Sequence, residues 1–462
     1  MRDILDNATP ALLSVQRWKA RLLLWLGSAA VGIAAVLFAR LADIAQVGLR
    51  RLMAHSWLWP LALAPVGFFA IAWVTRRYFL GAEGSGIPQT IYTLQPGGEK
   101  AAAPLMRFRI VAARMLMAAA GLFCGGSIGR EGPTAHVGAA IAYGFGRWIP
   151  HRELAAQRRM LILAGGAAGV AAAFNTPLAG IVFGIEELAH SFEERASGVT
   201  LTTVVLAGII AIALAGNYTY FGQPVVAATA QHVTLDTFIV GAICGVCGGL
   251  FSRVLLAATR GLPGFLGKLQ RRPALFALAC GILIAVLGAV SHGTTYGAGY
   301  GEARSILESN SHLSWLYGPE RAVATLISYL SGLPCGLFSP SLSTGAGLGA
   351  ALAHWLGQSS AVPFAILGMC GYMAAVTQAP LTSLVIVMEM TTQDQMVFPL
   401  AITVIVATAV SKLISPPLYR TMAQRLANNP AYTAMTGTAA GGGKTAAAPP
   451  APAPAPVPTE TG

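Results

Sequence analysis

The sequence predicts an all-α polytopic membrane protein built from two related halves. Three observations point there: charge-free stretches too long for a soluble core, apolar runs broken by glycine and proline, and a pair of motifs that recurs. Of 462 residues, 55% are hydrophobic and only 10% charged, with a mean hydropathy of +0.62. Soluble domains carry roughly 25% charged residues. No Asp, Glu, Lys or Arg occurs from Ala322 to Met388 or from Ala196 to Leu235. About 20 apolar residues cross a bilayer, so the longer stretch holds several crossings, and a string of soluble domains is excluded.

Taken in order, apolar helices are expected over 22–48, 57–80, 105–127, 131–148, 155–172, 176–192, 197–215, 233–258, 273–291, 318–330, 337–356, 361–377, 380–392 and 395–414. The first begins near Leu22, behind a polar leader, and runs past Ala39, too long and too far into the chain for a cleaved signal peptide. Several are too short to span hydrocarbon at ~1.5 Å per residue. The chain carries 53 Gly and 27 Pro. Broken backbone at membrane depth survives only where it is buried or lines a wet cavity, so the short pieces suggest a transport path. The resulting division is an N-terminal cytoplasmic segment 1–21, a transmembrane domain 22–427, and an Ala/Pro-rich tail 436–462 expected to be disordered, with no soluble regulatory domain.

A net charge of +12 does not signal nucleic acid, because the basic residues fall between apolar runs, as at Arg76–Arg77, Arg158–Arg159 and Arg271–Arg272. They read as loops facing anionic lipid. Arg17, Lys19 and Arg21 argue for a cytoplasmic N-terminus, while Arg50 and Arg51 argue against it. All six cysteines lie in apolar segments. The Cys244–Cys247 pair has CxxC spacing but no second pair and no nearby His, so no metal and no cofactor is expected.

The repeat is read from two alignments. "GREGPTAHVGA" at 129 lies over "GLFSPSLSTGA" at 336, matching Gly129, Pro133, Gly138 and Ala139 to Gly336, Pro340, Gly345 and Ala346. "PLAGIVFGIE" at 177 lies over "PLTSLVIVME" at 380. The halves are therefore set at roughly 22–215 and 233–427. Duplicated halves with interrupted helices point to a transporter with a site at the membrane midplane.

Three stretches could build that site: Gly84–Pro88 (GSGIP), Gly129–Pro133 (GREGP) and Gly336–Pro340 (GLFSP). In each, glycine lets backbone approach a ligand and proline falls in a first helical turn. The helix start leaves N–H groups unpaired and partly positive, which suits a small anion.

These motifs in this order, followed by Tyr419 in "SPPLYRTM", resemble the CLC family of chloride channels and chloride/proton exchangers over roughly residues 20–427. The resemblance implies inverted-topology halves of tilted and broken helices and a homodimer in the lipid bilayer. The absence of regulatory domains suggests a prokaryotic, inner-membrane member. It implies chloride held by the hydroxyls of Ser85 and Tyr419 and the N–H groups of Leu337 and Phe338. Gly84, Gly86, Ile87, Pro88, Gly129, Arg130, Gly132, Pro133, Gly336 and Pro340 would shape the anion path. Hydroxyls and amides suit a halide because they bind without full charge.

Glu131 would be the gate and proton acceptor. Ionised, it competes with chloride for the same donors; protonated, it swings away. A neighbouring chloride disfavours its ionised form, which links anion occupancy to proton uptake. Arg130 is expected to partner a buried carboxylate or carbonyl. In "FGIEELAHSF", Glu187 matches the inner glutamate of the family's exchangers, preceded by Glu186. An acid in an apolar segment is costly and usually functional, so proton exchange is favoured over a passive voltage-gated channel, although some exchangers lack this acid. Serine at 85, rather than proline, fits chloride over nitrate, and with the intact GREGP it argues against the fluoride-exporting branch.

Two other classes are weighed. Ser127 in "GGSIG" and His136 in "TAHVGA" loosely resemble an intramembrane serine protease, but a rhomboid-type dyad draws on separate helices. A sodium-coupled carrier would need clustered acids and carbonyls at an unwound helix, which are not evident. No enzyme activity is expected.

Overall fold

The computed structural model describes residues 15–95, 103–148, 154–189, 198–216, 220–224, 226, 233–309 and 313–436. Most of the expected N-terminal segment, and the tail beyond Thr436, lie outside the described residues. Regular structure among the described residues is helical, with two isolated bridges and no strand. The first half comprises α1 (Val15–His55), α2 (Trp59–Tyr78), α3 (Ile87–Leu94), α4 (Phe108–Phe123), α5 (Glu131–Gly146), α6 (Leu154–Phe174), α7 (Pro177–Phe183) and α8 (Gly198–Ala215). The second comprises α9 (Leu235–Arg260), α10 (Gly264–Gln270), α11 (Pro273–Val290), α12 (Tyr300–Ser309), α13 (Tyr317–Leu330), α14 (Phe338–Trp355), α15 (Val362–Thr377), α16 (Pro380–Thr391) and α17 (Val397–Ile414). Two short helices follow, α18 (Leu418–Ala427) and α19 (Pro430–Thr436).

Six of these, α1, α2, α8, α9, α11 and α17, are long and apolar enough to cross a membrane. The protein is a multi-pass integral membrane protein. At 41 residues, α1 is about 60 Å long, twice the hydrocarbon thickness, so it tilts in the bilayer or carries its charged ends beyond it.

Three departures from the sequence reading have physical causes. α1 extends well beyond 22–48 at both ends, because its flanking arginines continue the helix instead of stopping it. The run expected over 176–192 is a short α-helix followed by a π turn, Gly184–Leu188; residues 190–197 lie outside the described set. The helices α3, α10, α12, α18 and α19 are short, and α12 and α18 are strongly charged, so apolar-run logic passed over them.

Helices pack through glycine, as expected where lipid supplies no hydrophobic drive and close backbone contact must do the work. A Cβ on Gly138 of α5 would lie 2.2 Å from the Gly165 carbonyl of α6. The same contact recurs in the second half, where a Cβ on Gly345 of α14 would lie 2.2 Å from the Gly368 carbonyl of α15. Across the halves, α2 packs on α11 and α7 on α16. The first members of the two matched pairs, α5 and α14, bring their N-terminal ends together at the centre, while α6 and α15 run back antiparallel to them.

Candidate functional site

The site is first a crossing of backbones. The Gly129 N–H donates to the Gly336 carbonyl and the Gly336 N–H to the Gly129 carbonyl, each at 2.9 Å. The Gly84 N–H donates to Leu333 at 3.2 Å, and the Cys335 N–H returns to the Gly84 carbonyl at 3.1 Å. All three glycine–proline motifs therefore meet. Gly84 and Gly86 take φ of 68° and 88°, open to glycine alone at little cost. A Cβ on Gly132 would fall 2.6 Å from the Ser85 Oγ, and one on Gly336 would fall 2.6 Å from the Gly129 carbonyl. Pro88, Pro133 and Pro340 each sit in the first turn of α3, α5 and α14, so three helix N-termini open on one spot, with Ile87 buried behind it.

The loop carrying Ser85 is fixed by a residue the sequence reading missed. Arg114 of α4 is fully buried and donates to the carbonyls of Gly81 (2.6 Å), Gly84 (2.8 Å) and Glu83 (3.4 Å).

Ser85, Leu337, Phe338 and Tyr419 are all buried at this spot. Tyr419, at the start of α18, sets its ring edge-on to Phe338 at 6.1 Å, and Phe338 is stacked on Phe174 at 6.0 Å. The Ser85 and Tyr419 hydroxyls are neighbours, and neither makes a hydrogen bond of normal geometry. A buried hydroxyl without a partner costs about 1–3 kcal/mol, so the pair is suited to a bound acceptor.

Glu131 is completely buried. Its Oε1 accepts the Tyr300 hydroxyl at 2.5 Å, and its Oε2 accepts the Ser339 N–H at 3.4 Å. The carboxylate thus lies over the N-terminus of α14, the neighbouring half's helix, as well as at the start of its own. The Ser339 hydroxyl donates to the Tyr300 hydroxyl at 2.9 Å, and the Tyr300 ring stacks on Tyr220 at 4.9 Å. Arg130 bonds the Ala39 carbonyl and Asp43 at 3.0 Å each, and the Tyr220 hydroxyl. Its guanidinium lies over both tyrosine rings.

This cluster floors an open cavity of about 420 Å³ lined by Arg40, Asp43, Arg50, Arg130, Tyr220 and Arg304, among others. Arg50, which argued against a cytoplasmic N-terminus, belongs to this vestibule, where positive charge attracts anions. Tyr300, Ser339 and Tyr220 were not singled out from the sequence. A signal for Tyr300 exists, since Gly297 and Gly299 repeat the spacing of Gly84 and Gly86.

At the other end the π turn separates two adjacent acids. Glu186 turns to α16, accepting the N–H groups of Leu381 (3.1 Å) and Thr382 (2.7 Å) and the Thr382 hydroxyl (2.7 Å). Glu187 turns inward, 6% exposed, within electrostatic reach of Arg420 and Tyr419. Ser127 and His136 do not form a dyad: the Ser127 hydroxyl bonds Thr325 at 2.9 Å, and His136 packs under Gly86.

The family model described as "Voltage gated chloride channel" matches residues 66–412. The chain is 31% identical to the H(+)/Cl(-) exchange transporter ClcA of Salmonella typhi, and equally to that of Salmonella typhimurium, over 80% of this chain and 79% of each relative. Its fold superposes on a slow cyanobacterial Cl-/H+ antiporter with a TM-score of 0.74 at 26% identity, covering 88% of this chain and 97% of that one. A CLC-type fluoride/proton antiporter shares the fold, with a TM-score of 0.72 at 22% identity over 87% and 96% of the two chains. The motifs in their order, the crossed helix starts and these matches lead to one conclusion: the chain belongs to the voltage gated chloride channel family, the CLC proteins.

Proposed function

We propose that the protein exchanges chloride for protons across a bacterial inner membrane, with the N-terminus of α1 in the cytoplasm. The observation that carries this reading is the seat of Glu131, whose carboxylate accepts an N–H of α14 where that helix would also receive an anion. Chloride rests between the Ser85 and Tyr419 hydroxyls and the first N–H groups of α14 at Leu337 and Phe338. Ionised Glu131 closes the outer side of that seat. Once protonated it no longer competes for the donors and releases toward the arginine-lined vestibule. Glu187 passes protons from the cytoplasm, with the Arg420 charge within electrostatic reach of it. The repeat halves, 22–215 and 233–427, supply one pathway per chain, and the chain pairs as a homodimer. The relatives named as exchange transporters support proton coupling, and Ser85 with an intact GREGP supports chloride over fluoride.

The test is chloride efflux from proteoliposomes with external pH recorded and voltage clamped by valinomycin. Exchange predicts proton movement against its own gradient, driven by chloride and abolished by Glu131→Ala and by Glu187→Ala. Chloride efflux without any proton signal would make the protein a passive channel and remove the role given to Glu187.

A further inference from the structure

Away from the anion path, a groove of about 600 Å³ lies between α1, the start of α4 and the end of α5. Its apolar wall includes Ile33 and Leu37 of α1 and Phe108 of α4, which are 52%, 62% and 80% exposed. In a membrane such side chains face lipid, but the concavity and the arginines in its wall set this surface apart. Arg107, Arg147 and Trp148 line the groove. Among the described residues neither guanidinium is paired with a carboxylate; Arg147 lies over the Tyr143 ring at 5.5 Å.

The depth of the groove follows from α1. A Cβ on Gly27 would touch the Phe145 side chain at 3.4 Å, so Arg147 lies near the end of α1 that carries Lys19 and Arg21. The positive-inside rule puts that end in the cytoplasm. Arg21 and Leu37 are about 24 Å apart along the α1 axis, so the groove starts at the cytoplasmic headgroups with its basic end and rises into the hydrocarbon. Trp148, 72% exposed, belongs at that same level.

We infer that this groove is a binding site for an anionic glycerophospholipid of the cytoplasmic leaflet. One acyl chain lies along Ile33, Leu37 and Phe108, and the phosphate is held by Arg107 and Arg147. Guanidinium groups suit a phosphodiester because they donate two parallel hydrogen bonds as well as charge. A free phosphate would leave the apolar wall uncovered, and a zwitterionic lipid would bring its own cation to the two arginines.

Native mass spectrometry of the full-length protein, titrated with phosphatidylglycerol or phosphatidylcholine of equal chain length, tests the site. The protein should retain phosphatidylglycerol preferentially. Arg107→Gln with Arg147→Gln should cut that preference roughly thirtyfold, given about 1 kcal/mol per basic residue at an anionic surface. Gly144 lines the groove, and a Cβ there meets nothing within 4 Å, so Gly144→Leu should fill it and reduce retention of both lipids. Equal retention of the two lipids by the unaltered protein overturns the inference. So does an undiminished preference in the double arginine variant, or retention unchanged by Gly144→Leu. Chloride binding to each variant confirms that it is folded, since none of these residues touches the anion seat.

Discussion

Glu186 and Glu389 cap each other's neighbourhood. Glu186 receives the first N–H groups of α16, while Glu389, near the end of α16, receives those of α7 at Leu178 (3.3 Å) and Ala179 (2.7 Å). Each half of the chain thereby closes a helix start of the other with a carboxylate, where a negative charge meets a partly positive terminus. Glu186 is a structural acid, although it adjoins the proposed proton donor. Glu186→Gln should lower stability by about 1–2 kcal/mol and leave the proton-to-chloride ratio intact, whereas Glu187→Gln should do the reverse. Paired thermal melts and stoichiometry measurements decide it, and loss of coupling in Glu186→Gln would overturn the division of roles.

Tyr300 should set how firmly Glu131 stays over α14. Its hydroxyl is the shorter of the two hydrogen bonds to the carboxylate, and a bond to a charged group contributes about 1.5–3 kcal/mol. Tyr300→Phe keeps the ring stacked on Tyr220 and removes only that donor. Chloride turnover at neutral pH should rise several-fold, with coupling loosened. An unchanged rate in proteoliposomes would show that the Ser339 N–H and the helix terminus hold the carboxylate unaided.

Gly132 and Gly144 lie on the same helix and predict opposite outcomes. An added methyl at Gly132 meets the Ser85 Oγ at 2.6 Å, the Ser85 carbonyl at 3.0 Å and the Gly336 Cα at 3.3 Å. Two of these are backbone atoms that cannot step aside. Gly132→Ala should weaken chloride binding at least tenfold by isothermal titration. Gly144→Ala meets open space and should raise stability by roughly 0.5–1 kcal/mol, the difference in helix propensity. Equal chloride affinity in the two variants would disprove the crowding argument.

The vestibule arginines should act on capture and not on coupling. Neutralising Arg40 and Arg50 together should slow chloride entry at low ionic strength, with the difference fading as salt approaches a Debye length of about 8 Å. Arg304 is paired with Glu308 at 2.8 Å and holds that carboxyl below its ordinary value, so part of its charge is offset. Glu308→Gln should therefore speed entry. Rates measured across a salt series at fixed stoichiometry check both; a changed proton ratio would place these residues in the exchange step itself.

Much of the molecule was readable from the chain. Long apolar helices announced themselves because lipid exposure demands uniform side chains, and GSGIP, GREGP and GLFSP stood out because glycine and proline act locally. What escaped has equally physical reasons. The counterpart of GSGIP in the second half is the loop at Gly297–Gly299, where Ser85 is matched by Ala298 and Pro88 by Gly301; two glycines alone were too little to see. Its confirming sign was another residue: Arg321 donates to the carbonyls of Thr294, Tyr296 and Gly297, as Arg114 does to Gly81, Glu83 and Gly84. A fully buried arginine with only carbonyl partners looks, in one dimension, like any loop charge. The opposite turns of Glu186 and Glu187 were hidden too, because they depend on a π turn that no local propensity marks.

The reciprocal hydrogen bonds between Gly129 and Gly336 limit how this machine can move. Many carriers with duplicated halves work by rocking one half against the other around a fixed site. Here that motion would tear two peptide groups apart at the site itself on every cycle. The frame is welded where other carriers are hinged, so under the exchange proposed above the stroke would fall to the Glu131 carboxylate swinging within it.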